Sequence, residues 1–406
     1  MTVKKGEGLS YAGKTFFILG IVFVAFNLRP ALTAVGPLAG SIRRDLGLSH
    51  IAVGLLTTLP LIVFGLLSPL APKVGNRFGN ERMIFAGLIA LGVGIAIRSL
   101  PQASALFVGT VWVGAGIAIC NVLLPGVIKQ RFPERVGLMT SVYSTAMTLC
   151  AALGSGLSIP VAEGLKLGWQ GSLGIWGILA GIAAILWLPQ LRVPGRSRRL
   201  PLREAVSPGR GIWHSSLAWQ VTWFMGLQSF AFYTTVAWLP SILHDRGVSV
   251  ADAGWLLSLT LLVGVPGTFL APVLADRLPN QRGLAAGISL IYFFGFVGLL
   301  IGGSYGMFVV STVLIGLAQG ACVSLSFAFF GLRTTTARQA AELSGMAQSA
   351  GYLLAAVGPF LIGWLFDGMH SWTLPLITLS VSCLFMLLTG WGAGRSGQVS
   401  IQMDDR

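Results

Sequence analysis

The sequence has 406 residues, of which 54% are apolar and only 10% charged, with a formal net charge of +14. Soluble domains carry roughly 25% charged residues, so this composition excludes a water-soluble globular protein. The basic balance would suit a nucleic-acid binder, but the placement of the charges excludes that reading as well.

Apolar stretches recur along the whole chain, each long enough for a helix to cross about 30 Å of hydrocarbon. They predict helices over 15–40, 51–72, 83–98, 105–127, 137–162, 170–190, 216–242, 252–273, 284–302, 306–330, 342–366 and 372–394. The expected fold class is an all-α membrane protein with 12 transmembrane helices in two six-helix halves. No small-residue cleavage site follows the first stretch, so a retained helix is expected there rather than a signal peptide. That helix contains the run NLRPAL, which puts Arg29 inside it. Arg29 lies about 14 residues, or about 21 Å, along the axis, too deep to reach the interface easily. An arginine at that depth costs about 2.5–3.5 kcal/mol on insertion scales and faces a bundle interior or a watered cavity. Asp and Glu are absent from the middle of every predicted helix; Asp45, Glu163 and Asp367 fall at the edges. An unpaired central guanidinium suits an anion or a nitro group, to which it can offer two parallel N–H donors. The competing reading is a structural ion pair or a carbonyl cap.

Of the 27 Lys and Arg, 21 fall in the segments that share a side with the two termini. Arg192, Arg196, Arg198, Arg199, Arg203 and Arg210 crowd the segment 191–215. Cytoplasmic loops are enriched in this way, so both termini are expected in the cytoplasm. The charge is a topology signal, and no nucleic-acid partner is expected. Cys120, Cys150, Cys322 and Cys383 lie singly within predicted helices. They read as small packing residues, with no metal site and no cofactor.

An internal repeat organises the chain. DLGLSHIAVGLLTTL from Asp45 aligns with DRGVSVADAGWLLSL from Asp245, and the match continues through Leu70-Ala71-Pro72 and Leu270-Ala271-Pro272 to Arg82 and Arg282. At an offset of 200, 14 of 38 positions agree without a gap. GAGIAIC (114–120) parallels GLAQGAC (316–322), and Trp169 parallels Trp372. The division is 1–190, a cytoplasmic linker 191–215, and 216–406. Two halves repeated in the same orientation suit a secondary transporter that works by alternating access.

The strings NLRPALTAVGPL, GLLTTLP, GIAIRSLP, NVLLPGVIK, SSLAWQV and AELSGMAQSAGYLLAAVGP make the chain resemble the cyanate and 2-nitroimidazole transporter family of the major facilitator superfamily. The similarity runs from about Phe23 to Trp391. It implies a monomer in a bacterial inner membrane that moves a small polar or anionic molecule. Export of a 2-nitroimidazole-type compound is the first reading; uptake or exchange of cyanate or a small organic anion is the second. A membrane-embedded receptor or enzyme would require paired intramembrane carboxylates or histidines, and the sequence offers none. The family usually carries an acidic residue after its second helix, where KVGNRFGNER has Asn76 beside Arg77; the second copy keeps Asp276 beside Arg277. These four residues are expected to gate.

Helical spacing then selects the candidate binding residues. Thr33 shares the face of Arg29, whereas Asn27 points away and is expected to bind another helix. From Arg29 and Thr33 the offset of 200 lands on Ser229 and Tyr233, with Gln228 adjacent. Gln348 and Tyr352 stand with Ser344 on one stripe, Tyr143 and Ser144 on helix 5, Asn121 on helix 4 and Gln319 on helix 10. Trp255 could stack a flat ring. Each could equally be glue between helices.

Overall fold

The computed structural model describes residues 11–48, 50–192 and 212–399, and the regular structure among them is helical. In chain order the helices are α1 (Tyr11–Asn27), α2 (Pro30–Thr33), α3 (Val35–Leu46), α4 (His50–Leu67), α5 (Ala71–Phe78), α6 (Asn80–Arg98), α7 (Ala103–Arg131) and α8 (Val136–Gly156). They continue as α9 (Gly168–Arg192), α10 (Ser216–His244), α11 (Val250–Arg277), α12 (Arg282–Ile301), α13 (Tyr305–Leu332), α14 (Ala337–Met369) and α15 (Thr373–Ala393). Ten spans are long and apolar enough to cross a membrane alone, and the pair α4 and α5, bent by 54°, makes an eleventh. The twelfth is α10. It has 29 residues, but Gln228, Ser229, Tyr233, Thr234 and Thr235 dilute its hydropathy. Those polar residues face protein, and lipid does not have to solvate them.

Two expected boundaries change. The first span, expected as one helix over 15–40, is three pieces, α1 to α3. Pro30 and Pro37 each withhold the N–H that would bond four residues back, and the helix stops at Asn27 and again at Ala34. The segment expected as a loop around Asn76 and Arg77 is instead the helix α5, which starts at the bend and runs to Phe78. Gly79, with φ of 95°, ends it in a conformation that favours glycine. Of the expected linker, residues 193–211 lie outside the described residues; Ser215 caps α10 by accepting from the Ala218 N–H.

Small residues let the helices approach closely, since lipid provides no hydrophobic drive between them. A Cβ on Gly116 of α7 would stand 2.5 Å from the carbonyl oxygen of Gly87 on α6, and one on Gly316 of α13 would stand 2.2 Å from that of Thr260 on α11. All four cysteines are buried and free.

The repeat seen in the sequence returns as duplicated contacts. Trp169 Nε1 donates to Asp45 at 3.0 Å, and Trp372 Nε1 donates to Asp245 at 2.7 Å. On the opposite face Arg131 pairs with Glu81 at 3.1 Å and lies over Phe17. Its counterpart Arg333 donates to Gln281 and to the Ala393 carbonyl and lies over Phe329. Burial, with the Arg395 charge adding to it, pushes the Arg333 guanidinium down to about 10. The face bearing Arg131, Arg333 and the start of α1 is called the terminal face below.

A candidate binding site at the broken first helix

Where α1 stops, Arg29 takes φ −128° and ψ −41° and caps α2. Its carbonyl accepts the N–H groups of Leu32 and Thr33 at 2.9 and 3.0 Å, which restarts the helix after the break. The half-buried side chain reaches the other half of the protein. Nη1 donates to the Tyr233 hydroxyl at 3.3 Å, and the guanidinium carbon stands 5.7 Å from the centroid of the Phe232 ring. Tyr352 on α14 is its second electrostatic neighbour. The ion pairs among the described residues are Arg131–Glu81 and Arg338–Glu342, both far along the chain from this turn. Among the described residues, Arg29 thus holds its charge with a neutral hydroxyl and a ring face.

Between this level and the terminal face, the two halves are bolted together. Tyr352 packs on Phe64 with ring centroids 4.9 Å apart, and Tyr143 on Phe327 at 5.7 Å. Ser349 donates to the Gly65 carbonyl and Ser141 to that of Phe269, both at 2.6 Å. Gln348 Nε2 donates to the Asn121 carbonyl at 3.1 Å. Below them the backbones nearly touch. A Cβ on Gly126 would stand 2.8 Å from the Ala337 carbonyl oxygen, one on Gly345 2.7 Å from that of Ser68, and one on Gly137 2.3 Å from that of Pro272. Aromatic pairs form a floor under Arg29, and the glycines form the seal beneath it.

Several of the residues selected from the sequence meet here. Arg29, Tyr233, Tyr352 and Tyr143 form one linked set, with Tyr352 as the electrostatic neighbour of the other three. Gln348 stands one turn from Tyr352; its Nε2 also donates to Ser344, while its Oε1 has no protein partner. The Tyr352 hydroxyl and both amide atoms of Gln319 are buried without a protein partner too. Such groups cost about 1–3 kcal/mol each when left unpaired, and a ligand could satisfy them. Asn121 is buried and offers its carbonyl to Gln348.

Others are turned to helix packing. Thr33 Oγ1 donates to the Ala151 carbonyl of α8 at 2.8 Å. Ser144 donates to Thr140 one turn back, and Gln228 to Ser229 and the Met225 sulfur within α10. Trp255 is 72% exposed on α11, apart from the linked set. Asn27 binds the Phe23 carbonyl and, across to α9, that of Leu179. Of the expected gate, Asp276 lies against Gly137 of α8 and near Lys129 of α7, while Arg77 lies over the neighbouring Phe78 ring.

Sequence reasoning missed Phe232, Phe64 and Phe327, whose apolar character makes them look like lipid-facing or core positions. It also missed Arg98. That side chain is 1% exposed and donates Nη1 to the Ala31 carbonyl at 2.5 Å, in the same turn that carries Arg29. Its position at the very end of a predicted helix suggests a surface residue.

A sequence profile described as Major Facilitator Superfamily matches residues 15–301 and 241–395. The chain is 49% identical over 380 residues to the uncharacterized transporter YycB of Bacillus subtilis (strain 168), covering 94% of each. It is 43% identical over 391 residues to the 2-nitroimidazole transporter of Escherichia coli (strain K12), covering 96% of this chain and 98% of that one. Among solved structures it is similar to the transporter FucP in the outward conformation. The TM-score is 0.74 at 12% identity, over 94% of this chain and 99% of that one.

Proposed function

This chain belongs to the major facilitator superfamily, and from that membership we propose that it moves a small planar anion or nitro compound by alternating access, with Arg29 as the positive pole of the site. It is a multi-pass membrane transporter of a small molecule and not an enzyme. The observation that carries the proposal is the cross-half grip on Arg29. The guanidinium is held by the Tyr233 hydroxyl and the Phe232 face, with no ion-pair partner among the described residues. A cation held so weakly in a membrane protein has donors left for an incoming oxygen pair. The rings of Phe232, Tyr233, Tyr143 and Tyr352 would flank a flat solute, which favours 2-nitroimidazole over the linear cyanate ion. The 43% identity to a 2-nitroimidazole transporter supports the same choice.

The charge distribution supports a cytoplasmic terminal face. The cross-half contacts close that side, which supports reading this conformation as the outward-facing one. The direction of net transport we assign is export, in keeping with the sequence resemblance. The two halves divide at the basic segment 191–215, and the working unit is the monomer.

Binding measured on purified protein against 2-nitroimidazole, cyanate and small carboxylates tests the substrate class. The expected order is 2-nitroimidazole first, with affinity lost in Arg29→Ala. Equal binding of every solute, or binding indifferent to Arg29, would overturn the reading. Accumulation in everted vesicles rather than right-side-out ones would mark export.

A further inference from the structure

A second arginine stands behind the first. Arg98 closes α6, and it is among the most completely buried large side chains in the protein. Its Nη1 donates to the Ala31 carbonyl at 2.5 Å, while Nε and Nη2 have no protein partner. The two ion pairs of the described residues lie elsewhere, so no carboxylate among the described residues neutralises it. The C-terminal end of its own helix dipole is favourable for a cation, and that accounts for the position but not for the reach toward α2. The crossing of α6 and α7 makes the place for it: a Cβ on Gly109 would lie 2.4 Å from the Arg98 backbone nitrogen and 2.6 Å from the Arg98 Cβ, so the close approach that seats Arg98 here needs glycine at that position.

What Arg98 holds is the four-residue turn that aims Arg29. The other side of α2 is held by α8 and the residues just after it. Thr33 donates to the Ala151 carbonyl at 2.8 Å, Ser158 donates to that of Ala34 at 3.2 Å, and a Cβ on Gly154 would stand 2.7 Å from the Pro30 Cα. Between two helix breaks, α2 has little hydrogen bonding of its own, and a single turn is not stable alone. Its placement therefore depends on these outside contacts, and Arg98 supplies the charged one.

We propose that Arg98 is a positioning residue for substrate binding: its guanidinium fixes the α2 turn through the Ala31 carbonyl and thereby sets the aim of Arg29. The inference rests on the reading of Arg29 as the binding cation. A hydrogen bond from a charged donor contributes about 1.5–3 kcal/mol. That amount, spent on orienting Arg29, corresponds to roughly 10- to 100-fold in affinity.

The test uses the full-length purified transporter and 2-nitroimidazole as the probe, with Arg98→Met, Arg98→Lys and Arg98→Gln, each alone and in an Arg29→Lys background. Arg98→Met is expected to raise the dissociation constant by roughly 10- to 100-fold. Its melting temperature should be unchanged or higher, because an uncompensated buried cation is removed. Arg98→Lys, which keeps a donor for the Ala31 carbonyl, should recover most of the affinity. In the Arg29→Lys background Arg98→Met should cost far less, since a misaimed ammonium has little left to lose; a purely structural role would subtract the same amount from both. Unchanged affinity in Arg98→Met, or equal losses in the two backgrounds, overturns the inference. If Arg98→Met does not fold, Arg98→Gln takes its place, as its side chain ends two bonds short of Nη1; failure of both to fold makes Arg98 a structural cation and also overturns it. Arg29→Ala alone separates the two ideas. If it binds normally, the substrate reading fails; if it loses binding while Arg98→Met does not, only the positioning role fails.

Discussion

Replacing Arg29 by alanine should separate binding from stability. In the folded protein the guanidinium makes one hydrogen bond of 3.3 Å to a neutral hydroxyl and one ring contact at 5.7 Å. The first, from a charged donor, contributes about 1.5–3 kcal/mol and the second about 0.5–2 kcal/mol. Against them stands the cost of keeping an unpaired cation in the membrane, about 2.5–3.5 kcal/mol on insertion scales. The opposing ranges overlap, so stability should change by no more than about 2 kcal/mol in either direction. Binding is not balanced in this way. A fork presenting two charge-assisted donors to a nitro or carboxylate group contributes about 3 kcal/mol or more, which corresponds to a loss of at least about 100-fold. Arg29→Lys should recover little of it, because an ammonium lacks the planar pair of donors. Thermal unfolding in detergent and equilibrium binding of 2-nitroimidazole, run on the same preparations, check both halves of this expectation. A protein destabilised by several kcal/mol that still binds would show Arg29 to be a structural cation and refute the reasoning.

Three further outcomes are expected. Tyr352→Phe removes a buried hydroxyl that has no protein partner; thermal stability should hold or rise, while affinity drops by about tenfold, and an unchanged affinity would place that hydroxyl outside the site. Asp276→Asn, against Gly137 and near Lys129, should raise cysteine labelling at the terminal-face ends of α5 and α11, and Asn76→Asp should lower it; unchanged labelling in both would remove their gating role. Glu163 and Asp367 are exposed acids, so amidating either one should leave pH-gradient-driven flux in proteoliposomes largely intact. The pH dependence should then follow the ionisation of the substrate, and a flux that dies with one carboxylate would show that the protein carries the proton.

The spans, the repeat and the oddity of Arg29 were legible in the sequence because each rests on a coarse property: hydropathy, identity at a fixed offset, or charge in the wrong solvent. Tyr233 followed from the same offset, and the structure sets its hydroxyl on Arg29. Side-chain direction was less legible. Thr33 and Ser144 carry hydroxyls on plausible faces, but a helical hydroxyl can bond the carbonyl one turn back or one on the next helix. Nothing in the spacing tells these from a ligand contact. Asn76 looked like loop because its surroundings are polar, whereas the bend after Leu67 starts a new helix that carries it. Arg98 escaped notice because its burial comes from the crossing of α6 and α7 at Gly94 and Gly109, a long-range fact with no local signature.

The duplicated Trp–Asp hydrogen bonds bear on the energetics of the transport cycle. Asp45 with Trp169 and Asp245 with Trp372 tie matching elements in the two halves. Bonds that are equal by pseudo-symmetry, and internal to each half, survive a rigid rocking motion unchanged. They cancel from the free-energy difference between the two end states. That difference must be written where the copies disagree. On the terminal face those places are Asn76 against Asp276 and Glu81 against Gln281. In the floor they are the cross-half pairs Tyr352–Phe64 and Tyr143–Phe327, which would part in the proposed rocking motion. Changing a Trp–Asp tie should therefore alter how stiffly each half moves, while the resting poise of the cycle is tuned from the unmatched positions alone.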